Sequence, residues 1–190
     1  MGRPSVRQKL VEASLDVFQK TGFNGTSVQD LTDAAGVPKG SFYNHFKSKE
    51  ELALEALKLY IDRTGLGALL DNEITPLERL RRHFQANWRT VKDRNYTAGC
   101  FLGAMSSEIS DTHEGAREVF AGVFKAWSNA IAKVIREAQE SGAIRTKVDP
   151  HSLARFVLNA WQGTLIRMKV SKGEEPYRDF RHAVFEVLLR

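Results

Sequence analysis

From Val6 to Leu189 the apolar residues of this chain recur at intervals of three and four. That spacing turns one stripe of an α-helix toward a core. No run sustains the two-residue alternation of a half-buried strand, and the Asn24-Gly25 pair follows a helical segment rather than joining two strands. The chain is therefore expected to be all-α. At 190 residues and 42% hydrophobic content it can close one domain, or one with a small appendage, without disulfides. Its single cysteine excludes an intrachain disulfide and fits a reducing compartment. No stretch of about 18 apolar residues offers a membrane span, and Met1–Leu15 lacks the apolar run of a secretory signal. A cytoplasmic protein without membrane contact is expected. The net charge of +5 permits an anionic partner, whether DNA, RNA or an anionic membrane surface.

Punctuation divides the pattern into nine helices, four short ones near the N-terminus and five in the remainder. Val6, Leu10, Ala13, Val17 and Phe18 mark the first, stopped by Gly22. Ser27 with Asp30 has capping-box spacing and opens the second, to about Ala35. A third runs from about Lys39 to Phe46. Ser48 with Glu51 starts a fourth that fades near Gly65 and Gly67. Thr75-Pro76-Leu77-Glu78 places a cap, an N1 proline and a capping-box Glu in register for the fifth. Thr97 is the expected cap of a helix from about Ala98 to Ile109. A long helix spans about Thr112 to Ser141 and ends at Gly142. Asp149-Pro150 opens the next, which Gly173 closes, and the last spans about Pro176 to Leu189.

The most informative stretch lies between Thr26 and Lys49. Gly36 supplies the positive φ that a sharp turn between two short helices needs. Val28, Leu31, Ala35 and Val37 can form the small core between them. This is helix-turn-helix grammar. The second helix can turn Phe42 and Phe46 inward while Lys39, Ser41, Tyr43, Asn44 and His45 stay polar and outward, and Gly40 allows close approach to a surface. A recognition helix in a DNA major groove needs those properties. On composition alone, the same pattern also fits an ordinary amphipathic helix after a glycine turn.

Residues Thr26 to Leu52, with their Tyr43-Asn44-His45-Phe46-Lys47-Ser48-Lys49 ending, resemble without a gap the DNA-binding signature of TetR-family transcriptional regulators. The resemblance implies a dimeric, nine-helix, ligand-responsive repressor, with a helix-turn-helix domain in 1–50 (its fourth helix continuing to about 64) and an inducer-sensing, dimerising domain in 51–190. The partners it implies are double-stranded operator DNA, a second copy through the last two helices, and an inducer. No metal or cofactor is expected. Ser27 and Tyr43 would bond phosphates, and Lys49 would meet the backbone. Gln29, Lys39, Ser41 and Asn44 would face base edges. His45 would contact a phosphate or brace the helix. Arg3 and Arg7 would reach along the backbone or form a bare basic tail. Thr32 stands where the family usually carries Ala, which is harmless if its hydroxyl bonds back one turn.

In the larger half, Cys100 falls about three residues after the expected cap at Thr97. Amides at a helix start favour a thiolate over the free thiol, whose pKa is about 8.5; the alternative is a buried, inert cysteine. Gly99-Cys100-Phe101, Asp149-Pro150 and Trp161-Gln162-Gly163 with Lys169 are similar to a TetR subgroup that answers reactive electrophiles or small unsaturated acids and includes repressors of N-ethylmaleimide reductase genes. That similarity makes Cys100 the sensor and Lys169 its counter-charge; otherwise Lys169 is a solvated cation. Trp88, Phe101, Met105, Trp127 and Trp161, with Gln162 as polar member, line an inducer pocket or simply form core. Two other readings stay open. One is a cysteine enzyme using Cys100 with His83 or His113. The other is a multidrug-responsive repressor in which aromatics and acids such as Glu108 hold a cation and Cys100 is inert.

Overall fold

The computed structural model describes residues 4–64 and 66–190, so Arg3 lies outside the described residues. Their regular structure is entirely helical, with no strand among them. The helices are α1 (Val6–Thr21), α2 (Val28–Ala35), α3 (Gly40–Tyr43), α4 (Lys49–Thr64), α5 (Gly67–Leu70), α6 (Pro76–Asp93), α7 (Phe101–Ile109), α8 (Glu114–Glu140), α9 (Pro150–Ser171) and α10 (Glu175–His182); α10 widens into a π-helical turn at Ala183–Leu188. The ten helices among the described residues exceed the expected nine by α5. This single turn buries Leu69 and is too short for its period to register in sequence.

The chain forms two compact units. Among the described residues, one gathers 4–64 with Cys100–Phe120; the other holds 66–99 and Ala121–Arg190. In the first, α1 packs on α2, α4 and α7. Leu10, Leu15, Phe18, Leu31, Phe42, Phe46, Leu52 and Ala56 are buried there. Arg7 ties α1 to α4 through Glu55 at 3.0 Å and lies over the Phe46 ring. It is therefore a structural clasp and not a bare basic tail. Hydrogen bonding from Lys58, then Arg7, outweighs partial burial and holds the Glu55 carboxyl below its ordinary range.

In the second unit, α9 packs on α10 and α5 on α6. Phe84 of α6 meets Trp161 of α9 and Phe180 of α10, with ring centroids 5.3 and 5.0 Å away. Arg79 of α6 is buried and paired with Glu137 of α8, and it also donates to Asn72 Oδ1 at 3.1 Å.

Several helix ends differ from expectation. Thr75 stands at the N-cap but makes no side-chain cap bond, and the Glu78 carboxylate accepts from Arg82 rather than closing a capping box. α7 starts three residues later than the spacing suggests. Asn95 and Tyr96 take positive φ and unwind the chain, and the Thr97 hydroxyl donates backward to the Arg94 carbonyl at 2.6 Å. After α9 the left-handed residue is Lys172, with φ 50°, rather than Gly173. The caps at Ser27 and Asp149 and the left-handed Gly36 and Gly142 are present as expected, and Ser5 adds a capping box at the start of α1 that the spacing did not suggest.

Candidate nucleic-acid interface and sensing residues

The helix-turn-helix is built from local chemistry. Ser27 Oγ accepts the Asp30 N–H at 3.1 Å and donates to Asp30 Oδ2 at 2.7 Å, while Asp30 also receives the Ser27 N–H. Those bonds, the side-chain one first, lower the Asp30 pKa. Gly36 ends α2 at φ 63°, and its N–H and that of Val37 close onto Asp33 and Thr32 carbonyls. Thr32 is fully buried, and its hydroxyl bonds back to the Val28 and Gln29 carbonyls at 3.1 and 3.0 Å. The departure from the usual Ala is thereby absorbed.

α3 is shorter than expected, but its turn continues: the His45 and Phe46 N–H groups both reach the Phe42 carbonyl at 3.0 Å. Phe42 and Phe46 are buried. Lys39, Gly40, Tyr43, Asn44 and His45 are exposed and Ser41 half-buried. Tyr43 stands 63% exposed with its ring edge-on to Phe42, an apolar base under a free phenol. A side chain at Gly40 would meet nothing of the protein, so that side of α3 is open to an approaching surface.

Three candidate residues are engaged within the protein: Ser27, whose hydroxyl is committed to Asp30, Gln29 and Lys49. The Gln29 amide donates to Asp33 Oδ1 at 2.6 Å and would have to exchange partners to read a base. The Lys49 ammonium donates to the Phe23 and Thr26 carbonyls, both at 2.7 Å, and lies 4.2 Å from the Phe23 ring centroid. It clamps the α1–α2 loop onto the start of α4.

Cys100 is buried and is itself the N-cap of α7: its Sγ accepts the Gly103 N–H at 3.4 Å. Phe101 and Met105 are fully buried, and Phe101 packs against Phe18 and Tyr60. At the far end of α7, Glu108 Oε2 accepts the Asn24 N–H at 2.8 Å. Just beyond, His113 Nε2 meets Glu50 Oε1 at 2.9 Å, and its Nδ1 is 2.8 Å from Thr112 Oγ1. Partial burial raises the Glu50 pKa, but hydrogen bonds from Ser48 and from its own backbone, with His113 and Lys49 nearby, leave it lowered overall. Sequence reading missed the Glu108–Asn24 and His113–Glu50 contacts because they join residues dozens of positions apart.

The other pocket candidates belong to the second unit. Trp161 is fully buried. Trp88 stacks on Tyr177 at 4.6 Å beneath the Lys92 ammonium, and burial raises the Tyr177 pKa. Trp127 donates its indole N–H to His83 Nε2 at 2.9 Å, which makes this pair a satisfied core contact. The indole nitrogens of Trp88 and Trp161 and Nε2 of Gln162 are buried without a hydrogen-bond partner. Lys169 is exposed in the last turn of α9. Among the described residues no group of three or more His, Cys, Asp or Glu could hold a metal, and no helix is long and apolar enough to cross a membrane.

Comparison with known proteins fits this arrangement. Residues 10–56 match the family described as "Bacterial regulatory proteins, tetR family", and residues 76–184 match "Tetracyclin repressor-like, C-terminal domain". The chain is 40% identical to the HTH-type transcriptional repressor DhaR of Mycobacterium sp. strain GP1, over all of this chain and 95% of that one. The regulatory protein TetR from Rhodobacter sphaeroides has a crystal structure that superposes with a TM-score of 0.89 at 28% identity, covering 95% of this chain and 97% of that one. The reduced form of Escherichia coli NemR gives a TM-score of 0.80 at 23% identity, with 92% of each chain covered; that likeness shows the fold alone. From its capped and glycine-turned helix pair to its helical second unit, the chain belongs to the TetR family of transcriptional regulators and is a DNA-binding regulator rather than an enzyme.

Proposed function

We propose that this protein is a repressor that binds a near-palindromic operator as a homodimer and is released by a small molecule or electrophile sensed around Cys100. The observation that carries the reading is the open polar face of α3 behind the capped, left-handed α2–α3 turn. Residues 1–50 read DNA; residues 51–190 sense and dimerise. Tyr43 and Ser27 serve phosphates; Lys39, Ser41 and Asn44 serve base edges, and Gln29 joins them on releasing Asp33; His45 flanks the backbone. Lys49 acts on DNA mainly through the loop it clamps.

Dimerisation through α9 and α10 is supported by a largely apolar stripe, interrupted by Arg167, that no described residue covers. Phe156, Ala160, Gly163, Arg167 and Val170 follow one another at steps of four and three, the spacing of a helix–helix seam. Phe156 and Val170 are 60% and 80% exposed. A groove of about 420 Å3 beside them includes Arg167 with Glu175 and Asp179, so a two-fold partner can answer each charge with its opposite. Trp161, Phe180 and Val184 are buried in the protomer and contribute to the interface only by supporting it.

For the trigger, an adduct on Sγ would remove the acceptor that caps α7. The role of Lys169 as counter-charge rests on resemblance. The unpartnered N–H groups of Trp88 and Trp161 suit an inducer bearing carbonyl or carboxylate oxygens better than a cationic drug. A second reading, in which Cys100 is inert and such an inducer binds reversibly, is favoured by the burial of the thiol. Footprinting on the DNA flanking its gene, with sedimentation of the free protein, tests the core proposal: a symmetric protected site and a dimer are expected, and a monomer or no protected site would refute it.

A further inference from the structure

The contacts between the end of α7 and the helix-turn-helix are more specific than packing requires. Glu108 places a carboxylate on the Asn24 N–H, in the loop that follows the C-terminal end of α1. A negative charge there opposes the helix dipole, so stabilising α1 does not explain it. The loop is shaped to receive it. Gly22 holds φ 78°, and a Cβ at that position would stand 2.5 Å from Glu108 Oε1. The same short loop is gripped from the other side by Lys49, through the Phe23 and Thr26 carbonyls. His113 lies edge-on to the Phe23 ring and pairs with Glu50, the residue after Lys49. The loop runs directly into Ser27, the cap of α2. Its placement therefore sets where α2 begins and, through the tight Gly36 turn, where α3 points.

We propose that Glu108 and His113 are positioning residues for operator binding, holding the Gly22–Thr26 loop and the start of α4 so that α3 keeps its pitch for the second half-site. This rests on the operator-binding reading but not on Cys100. A dimer meets its two half-sites one helical turn apart, so a tilt of each α3 changes the spacing it accepts. Glu108→Gln keeps an acceptor oxygen for Asn24, whereas Glu108→Ala removes it.

The test uses the full-length protein and the palindromic duplex that the native protein selects from a randomised pool, together with the same duplex carrying one inserted central base pair. For Glu108→Ala, affinity for the selected duplex should fall about tenfold, the range of one hydrogen bond to a charged group. Its preference for the selected over the expanded duplex should shrink at least threefold, and Glu108→Gln should restore most of that preference. A merely structural contribution would lower melting temperature and active fraction but leave the ratio of the two affinities untouched, and an unchanged ratio overturns the proposal. Should Glu108→Ala fail to fold, His113→Gln is measured on the same two duplexes, and an unchanged ratio there overturns the proposal equally. Failure of the native protein to select any duplex would refute the operator reading itself, and this proposal with it.

Discussion

The Gly22–Thr26 loop and the Trp88–Trp161 cluster treat their polar atoms in opposite ways. In the loop, the Thr26 hydroxyl bonds to both Thr21 and Gly22, and the Phe23 and Thr26 carbonyls and the Asn24 N–H each have a charged partner from another element. In the cluster, two indole N–H groups are buried with none. A buried donor without an acceptor costs about 1–3 kcal/mol. The difference is one of satisfaction: the loop's polar atoms are held by partners from α4 and α7, whereas the cluster keeps two buried donors without acceptors.

That contrast can be broken by substitution. The largest effect should come from Trp161→Ala, which empties the centre of the second unit and should cost about 3–5 kcal/mol in urea unfolding. Next comes Lys49→Met, which leaves two loop carbonyls without their charged donor. It should cost about 2 kcal/mol and weaken binding to the specific duplex more than to random duplexes, because the loosened loop no longer fixes α3. An equal loss on both would mean that Lys49 acts as a phosphate contact instead. Trp88→Phe should be milder, under about 1.5 kcal/mol, because the lost N–H had no partner. It should weaken inducer response more than stability; a cost as large as that of Lys49→Met would erase the contrast.

The smallest effect concerns acid. Glu50 and Glu55 have lowered pKa values in the folded protein. Each contributes stability that is present above the unfolded carboxylate pKa of about 4.3 and lost as pH falls through the lower folded value. Glu50→Gln should therefore be slightly less stable than the native chain at pH 7 and converge with it in acid. Curves that run parallel from pH 7 down to pH 2 would deny the depressed value its role.

What the sequence disclosed follows from the range of the interactions. Ser27 with Asp30, Gly36, and Thr32 with its back-bonded hydroxyl act within one turn of themselves, so residue types and spacing were enough. The same reasoning failed at Thr75, where a box of correct spacing is not made and the Glu78 carboxylate pairs with Arg82. It misplaced the start of α7 because two non-glycine residues, Asn95 and Tyr96, take left-handed backbone. Glu108 was read only as an acid that could help hold a cationic drug, since the amide it serves is 84 residues away. On α9, helical spacing left Trp161 open between pocket lining and core, and the packing of α6 and α10 around it buries it fully.

The proposed release of the operator by a chemical change at the start of α7 is tested most directly by operator affinity before and after a mild thiol-reactive electrophile, for the native protein and for Cys100→Ser. The native protein should lose at least tenfold in affinity, about 1.4 kcal/mol, while Cys100→Ser binds the operator and does not respond. Equal loss in both proteins, or no loss in either with Cys100 of the native protein fully modified, would contradict that mechanism and leave reversible binding of an inducer as the trigger.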